Sequence, residues 1–192
     1  MDYSEFQKSI NISGNFERRK TVLNYMANLI DQEKNCSSCQ GMCCTFAYNS
    51  MQVTPAEALD AYDYLISQNR VNQALIDRLE KCIKEYRLDN EINLGRGREL
   101  RRTYTCPFYN AGSKGCGIAP ESKPYGCLAF NPKEKNVSTE GKCKSYTEVL
   151  EKREADYSGE EALNYKIIHT LNLGWEKKNF PQGLLSIIHK FF

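Results

Sequence analysis

Cys36-Ser37-Ser38-Cys39-Gln40-Gly41-Met42-Cys43-Cys44 places four thiols within nine residues, two of them adjacent. A C-x2-C spacing turns two sulfurs toward one centre through a tight loop, so one metal ion can take both. Gly41 lets the chain between Cys39 and Cys43 reach positive φ, which a backbone wrapping around a metal often needs. Cys43 and Cys44 read differently. Neighbouring side chains diverge, so this pair suits two metals, or two corners of a cluster, better than one tetrahedral ion.

The second half of the chain supplies the complement. Cys106-Pro107-Phe108, Gly115-Cys116-Gly117-Ile118, Lys123-Pro124-Tyr125-Gly126-Cys127 and Gly141-Lys142-Cys143-Lys144 add four cysteines, each within two residues of a Gly or Pro. Together the eight are enough for two four-coordinate sites, or for one cluster plus one ion. Zinc and an iron–sulfur cluster both remain open. Cys106-Pro107 matches the Cys-Pro that ends ferredoxin-type runs, and Cys36, Cys39 and Cys43 would suit three irons of a [4Fe-4S] cubane. A four-thiolate zinc site needs nothing beyond what is present. The ninth cysteine, Cys82, sits in a helical pattern with no turn residue beside it and reads as a buried structural thiol.

The pattern C-x2-C-x3-C-C, followed some sixty residues later by C-P-F, G-C-x-I and P-x-x-C-x-x-F, resembles the YkgJ-type CxxCxxCC cysteine-cluster family, whose members are described as zinc- or iron-chelating. The resemblance runs from Cys36 to Cys143. It implies that Cys36, Cys39, Cys43, Cys44, Cys106, Cys116, Cys127 and Cys143 are the metal ligands. The chain departs from the common form I-Y-x-x-R-P-x-x-C-R: it is one residue longer between Ile118 and Pro124, Lys123 stands where Arg is usual, and Leu128 follows Cys127 in place of Arg. A similar cysteine set occurs in the larger flagellin lysine methylases, which adds by analogy an iron–sulfur-dependent enzyme as the alternative reading.

Length and charge bound the rest. A chain of 192 residues is long enough for one domain with a sizeable core, and twelve Tyr and eight Phe supply large apolar bodies for it. No run of 18 apolar residues marks a membrane span. The start lacks a basic and then apolar leader, so a cytoplasmic location is expected, where thiols stay reduced and bind metal rather than pair. Between Arg96 and Lys144 ten basic residues face four acidic ones, a segment charge of +6 against −4 for the remainder. That basic excess suits a thiolate-rich centre, whose ligands must stay deprotonated. A nucleic-acid-binding role for Arg96, Arg98, Arg101 and Arg102 ranks third, because no RNA or DNA motif follows. The remaining expected partner is a protein or small molecule of unspecified kind.

In chain order, residues 1–14 read as an N-terminal arm. Phe16, Leu23, Met26, Ala27 and Ile30 recur at helical spacing and predict a helix over 15–33. Met51 and Val53 suggest a short extended piece. Thr54-Pro55-Ala56-Glu57 is a capping box that opens a helix to about Gln68. Leu75, Leu79, Cys82, Ile83 and Tyr86 define a helix over 72–86. Glu57, Asp60 and Asp63 fall near one face and read as a solvated charged stripe. From Asp89 to Lys144 periodicity disappears, and metal ligation is expected to order what burial does not, with Tyr104, Phe108, Tyr109, Tyr125 and Phe130 shielding the centre. Helical pattern resumes at about Ser145. A second capping box, Ser158-Gly159-Glu160-Glu161, opens a helix ending near Gly174, and Pro181 begins the last one. His169 and His189, the only histidines, read as packed or solvated. The expected fold is mainly α: a single domain of about five helices around an irregular cysteine-rich centre spanning 36–144, closed by helices over 145–192, with little or no β.

Overall fold

Thr54 opens its helix as the sequence predicts. Its hydroxyl accepts from the Glu57 N–H at 3.4 Å, and the Glu57 carboxylate accepts from the Thr54 N–H at 2.8 Å. The helix so capped, α3 (Pro55–Ser67), stands at the middle of the protein. The computed structural model describes residues 2–11, 15–31, 41–90, 92–93, 99–110, 116–132, 143–145, 151 and 159–192.

The other helices are α1 (Tyr3–Ile10), α2 (Asn15–Asp31), α4 (Gln73–Glu85), the short α5 (Tyr125–Ala129), α6 (Glu160–Leu171) and α7 (Phe180–Phe191). The fold is mainly α. Extended structure among the described residues is limited to three antiparallel pairs: β1 (Gln52–Val53) with β6 (Lys178–Asn179), β2 (Ile92–Asn93) with β3 (Glu99–Leu100), and β4 (Phe130–Pro132) with β5 (Cys143–Ser145). The extended piece expected at Met51–Val53 is β1, and it pairs with the strand that leads into α7.

The core lies where α3 packs on α6 and α7, and α4 packs on α7. Leu59 and Leu65 of α3, Leu75 and Leu79 of α4, Ile167 of α6, and Leu184 and Ile187 of α7 are all buried there. Each such side chain contributes about 1.5–3 kcal/mol by leaving water. Gly183 permits the closest approach: a Cβ at this position would lie 2.7 Å from Val53 Cγ2. Helix α4 buries Leu75, Leu79 and Cys82, as its stripe predicts. Helix α6 begins after Gly159 without a side-chain cap; Ser158 lies outside the described residues. So do 146–150 and 152–158, where helical pattern is expected to resume, while Ser145 itself ends β5.

Two expectations change. Residues 3–10 are not a detached arm. Asp2 caps α1 with its own capping box, and Phe6 and Ile10 are buried in the main core. The Tyr3 ring meets Tyr62 edge-on at 5.0 Å, and Phe6 meets Phe191 at 5.1 Å. Tyr3, Phe6 and Ile10 at helical spacing, behind the Asp2-x-x-Glu5 capping box, are the local signal for this helix, and the cleft that receives them is what places it in the core.

The face of α2 is also different. Ala27 is exposed, and Leu23 and Met26 are half-buried, with Met26 packed against the Val22, Tyr125 and Leu128 cluster. The fully buried side chains among the described ones are Val22, Arg18 and Arg19; the side chains of Phe16 and Ile30 lie outside the described residues. Both arginines run into α3. Arg18 Nη2 pairs with Asp60 Oδ1, and Arg19 grips Asp60 Oδ2 with Nη2 at 2.9 Å and Nε at 3.2 Å. Asp60 is 2% exposed and Arg19 0%. Two members of the acidic stripe of α3, Glu57 and Asp60, are therefore inside the protein, and Asp63 is half-buried. Asp60 binds two arginines, Glu57 belongs to the cap, and Asp63 accepts from the Tyr3 hydroxyl at 3.0 Å and from Gln7 Nε2 at 2.9 Å. The attraction between opposite charges overrides the apolar spacing that placed Leu23 and Ala27 on the inner face.

Asp60→Asn is expected to lower unfolding free energy by about 3–5 kcal/mol, because it leaves two buried guanidinium groups without their counter-charge. The exposed-site control Glu17→Gln is expected to stay within about 0.5 kcal/mol of wild type. Urea denaturation of the two variants measures the contrast; a similar small change in both would show that Asp60 is not the anchor of α2.

Candidate functional site

Cys43 and Cys44 lie in a 3-10 turn, Met42–Cys44, that follows directly on Gly41. Gly41 adopts φ 75°, the positive value anticipated from the sequence, and a Cβ on it would meet Tyr109 Cε2 at 2.8 Å. The turn closes with the Cys44 N–H donating to the Gly41 carbonyl at 2.8 Å. The Cys44 carbonyl then accepts from the Cys106 N–H at 2.7 Å, which joins the first cysteine motif to the second half of the chain. A bridge between Tyr109 and Cys116 and a 2.9 Å bond from the Gly117 N–H to the Phe108 carbonyl fold the next loop back on itself. Cys127 sits in α5, its N–H donating to the Pro124 carbonyl at 2.9 Å.

Side chains of the helical frame grip the main chain beside these cysteines. Cys82 Sγ reaches the Thr105 carbonyl at 3.5 Å, one residue before Cys106. Arg70, just after α3, donates to the Gly117 carbonyl next to Cys116. Arg19 donates to the Lys123 carbonyl, and Glu57 Oε1 accepts from the Tyr125 N–H at 2.8 Å, so the approach to Cys127 is held from α2 and α3 together. The Arg19 guanidinium also lies over the Tyr125 ring, 4.5 Å from its centroid. Asn49 Nδ2 donates to the Tyr104 carbonyl at 3.0 Å. Tyr104 is fully buried, and its hydroxyl donates to the Met51 carbonyl at 2.6 Å while accepting from the Phe180 N–H at 3.2 Å. One phenol thus fastens the cysteine segment to β1 and to the start of α7.

The thiols feel one another. Burial, then the neighbouring Cys116 and Cys127 thiols, push Cys106 well above the ordinary thiol range. Burial raises Cys127 as well, followed by Cys116 and Cys43. Cys43 is raised first by its contact with Cys44 and then by burial. The Lys123 ammonium opposes the shift at both Cys43 and Cys127. Charging Cys43, Cys106 and Cys127 without a cation among them is unfavourable.

Of the eight expected ligands, Cys43, Cys44, Cys106, Cys116 and Cys127 are free thiols on hydrogen-bonded, neighbouring segments. Cys36, Cys39 and the side chain of Cys143 lie outside the described residues, although β5 brings the Cys143 backbone opposite Pro132. Among the described residues, no three Cys, His, Asp or Glu side chains form a group that could hold a metal ion by themselves. Of the aromatics expected to shield the centre, Tyr104, Phe108 and Tyr125 are buried, Tyr109 is half-buried, and the side chain of Phe130 lies outside the described residues. The His169 ring lies tilted against Tyr165, with 4.1 Å between centroids, and is exposed, as is His189. Arg102 Nε donates to the Asn90 carbonyl at 2.9 Å and Arg101 is exposed, whereas Arg96 and Arg98 lie outside the described residues. Arg18, Arg19, Arg70 and Asp60 carry no signal in the linear pattern. A double arginine on a helix reads as solvated until its acceptors are located.

No protein-family model matches the chain, and no curated protein or solved structure matches it. No helix among the described residues is long and apolar enough to cross a membrane.

Cys82 provides a direct check on the thiol environment. Burial, with Glu85 adding, pushes it up to about 12, so it stays neutral in the folded protein near pH 8. Because the thiolate is the nucleophile, Cys82 should resist iodoacetamide at pH 8 in native protein and react after unfolding in urea. Mass-spectrometric mapping of the alkylated peptide measures both states. Prompt native-state labelling would show that the thiol is neither buried nor neutral.

Proposed function

We propose that this chain is a cysteine-cluster metal-binding protein that chelates zinc or an iron–sulfur cluster through Cys36, Cys39, Cys43, Cys44, Cys106, Cys116, Cys127 and Cys143. The observation that carries the reading is the joining of the first cysteine motif to the second half of the chain, where the Cys44 carbonyl accepts from the Cys106 N–H at 2.7 Å. Cys106, Cys116 and Cys127 sit on main chain that side chains of the frame grip. Raised thiols such as Cys43, Cys106 and Cys127 are unfavourable as thiolates until a cation neutralises them. The chemistry of the donors fits a thiophilic ion, for which sulfur is the preferred ligand. The resemblance in cysteine spacing to the CxxCxxCC family supports the same assignment.

When bound, a thiolate-ligated zinc would supply structural cross-linking, and an iron–sulfur cluster one-electron chemistry. The contributions of the chain itself are separate. Tyr104, Phe108 and Tyr125 are buried beside the cysteines in sequence. Cys82 and Arg70 hold the Thr105 and Gly117 carbonyls next to Cys106 and Cys116.

Protein purified without oxygen is expected to carry stoichiometric zinc or iron by elemental analysis. Cys43→Ser and Cys127→Ser should lose it. Cys82→Ser should keep it and lose about 1–3 kcal/mol of stability, the cost of a poorly matched hydroxyl on an apolar face. Metal-free wild type, or equal metal loss in the Cys82 and Cys43 variants, would overturn the assignment.

A further inference from the structure

The turn after Cys44 carries two aromatic side chains outside the core: Phe46 is 61% exposed and Tyr48 49%. Among the described residues, the other exposed large apolar side chains are Leu100, Tyr165 and Phe192. The turn itself is held in place. The Tyr48 and Asn49 N–H groups donate to the Thr45 carbonyl at 3.0 and 2.9 Å. Two bonds tie it to the neighbouring segment: the Phe46 N–H donates to Thr105 Oγ1 at 3.1 Å, and the Tyr104 N–H donates to the Asn49 carbonyl at 2.9 Å. The two rings are thus presented to solvent from a fixed main chain.

They do not belong to a continuous apolar patch. Their neighbours along the two segments are Thr45, Ala47, Asn49, Ser50, Thr103 and Thr105, mostly hydroxyls and amide. A protein partner is ordinarily met by a contiguous apolar area, which separate rings among polar groups do not provide. Cations flank them instead. Arg101 is exposed and stands three residues before Tyr104, so its main chain is at most about 11 Å from the bond to Asn49. Arg102 follows, its Nε donating to the Asn90 carbonyl at 2.9 Å. At the other end, the exposed Arg78 of α4 reaches the Pro107 carbonyl with Nη1 at 3.5 Å, two residues beyond Thr105. Within 41–50 and 99–110 the one acidic residue is Glu99. Ring faces between guanidinium groups match single-stranded nucleic acid, whose unstacked bases lie on aromatic rings while cations neutralise its phosphates.

We propose that this turn, with Arg101 and Arg78 at the two ends of the segment bonded to it, is a binding surface for single-stranded nucleic acid. Phe46 and Tyr48 stack bases, and the arginines contact phosphate. The sequence alone ranked a nucleic-acid role third, because no motif accompanies its arginines; the exposed rings beside them are visible only in the fold. The surface uses none of the eight cysteines and does not depend on the metal-binding reading.

The test measures fluorescence anisotropy of labelled oligo-dT and oligo-rU, each of about 15 nucleotides, with full-length protein between about 50 and 200 mM salt. Phe46→Ala and Tyr48→Ala are each expected to weaken binding about 5–150-fold, the range for losing one stacked base. Arg101→Gln and Arg78→Gln should each lower the salt slope by about one, the effect of one phosphate contact fewer. Tyr165→Ala, which removes an exposed ring on α6, should bind as wild type does. Because all these side chains are exposed, melting temperatures and metal content should match wild type throughout. Wild type that binds neither oligonucleotide would overturn the proposal, and so would ring variants that bind as tightly as wild type. A DNA duplex or poly-glutamate that competes as well as unlabelled oligo-dT would also overturn it, by showing attraction to any polyanion or an acidic peptide. None of these outcomes bears on metal binding, which elemental analysis reads separately.

Discussion

Two guanidinium groups meet one carboxylate inside this protein, and the remainder of the architecture is arranged so that they can. Removing Arg18, Arg19 and Asp60 from water is unfavourable by several kcal/mol per ion. Burial accordingly pulls the Arg19 guanidinium below its ordinary pKa, an effect that Tyr125, Glu57 and Glu160 oppose. On the Arg19 side, what makes the arrangement tenable is saturation. Arg19 spends Nε and Nη2 on Asp60, Nη1 on the Lys123 carbonyl, and the flat of its guanidinium on the Tyr125 ring. Such a network leaves almost no freedom to the elements that carry it. Helix α2, helix α3 and the segment before Cys127 must keep one relative placement, or charged groups are left buried and unmatched.

That constraint reaches the cysteines. Irregular chain loses about 1–2 kcal/mol of conformational entropy per residue on becoming ordered, and the cysteine segments contain little regular structure to offset it. The frame offsets part of it from outside. Arg70, Cys82, Asn49, Glu57 and Arg19 each hold a main-chain group within a few residues of Cys106, Cys116 or Cys127. Order among the described residues between 99 and 132 therefore has a source in the helical frame itself.

Tyr104 extends the same logic to the far side of the molecule. Its hydroxyl sits between the Met51 carbonyl and the Phe180 N–H, at the two-stranded junction of β1 and β6. Burial and the nearby Cys106, Cys127 and Cys82 thiols raise its pKa well above the ordinary phenol value, so it remains a neutral donor. A single residue two positions before Cys106 thus couples the cysteine segment to the start of α7, whose apolar face closes the core over α3 and α4.

Local chemistry was legible without coordinates wherever the cause is local. The capping box at Thr54 and Glu57, the proline start of α7, the apolar stripe of α4 and the positive φ of Gly41 follow from backbone geometry and from 3.6-residue periodicity, which operate within a few residues. The mainly helical class follows from the same patterns, and the burial of Cys82 from its place in the α4 stripe. Tertiary structure alone decided that Phe6 and Ile10 join the main core, that Glu57 and Asp60 of α3 are buried, and which groups Arg18, Arg19 and Arg70 hold. Each of these depends on an acceptor or a cleft far away in sequence: Asp60 for the arginines of α2, Gly117 for Arg70, Phe191 for Phe6. A charged side chain has the same composition whether water or another charge surrounds it. Only the folded chain determines which, because it alone brings the opposite charge within reach and takes the water away.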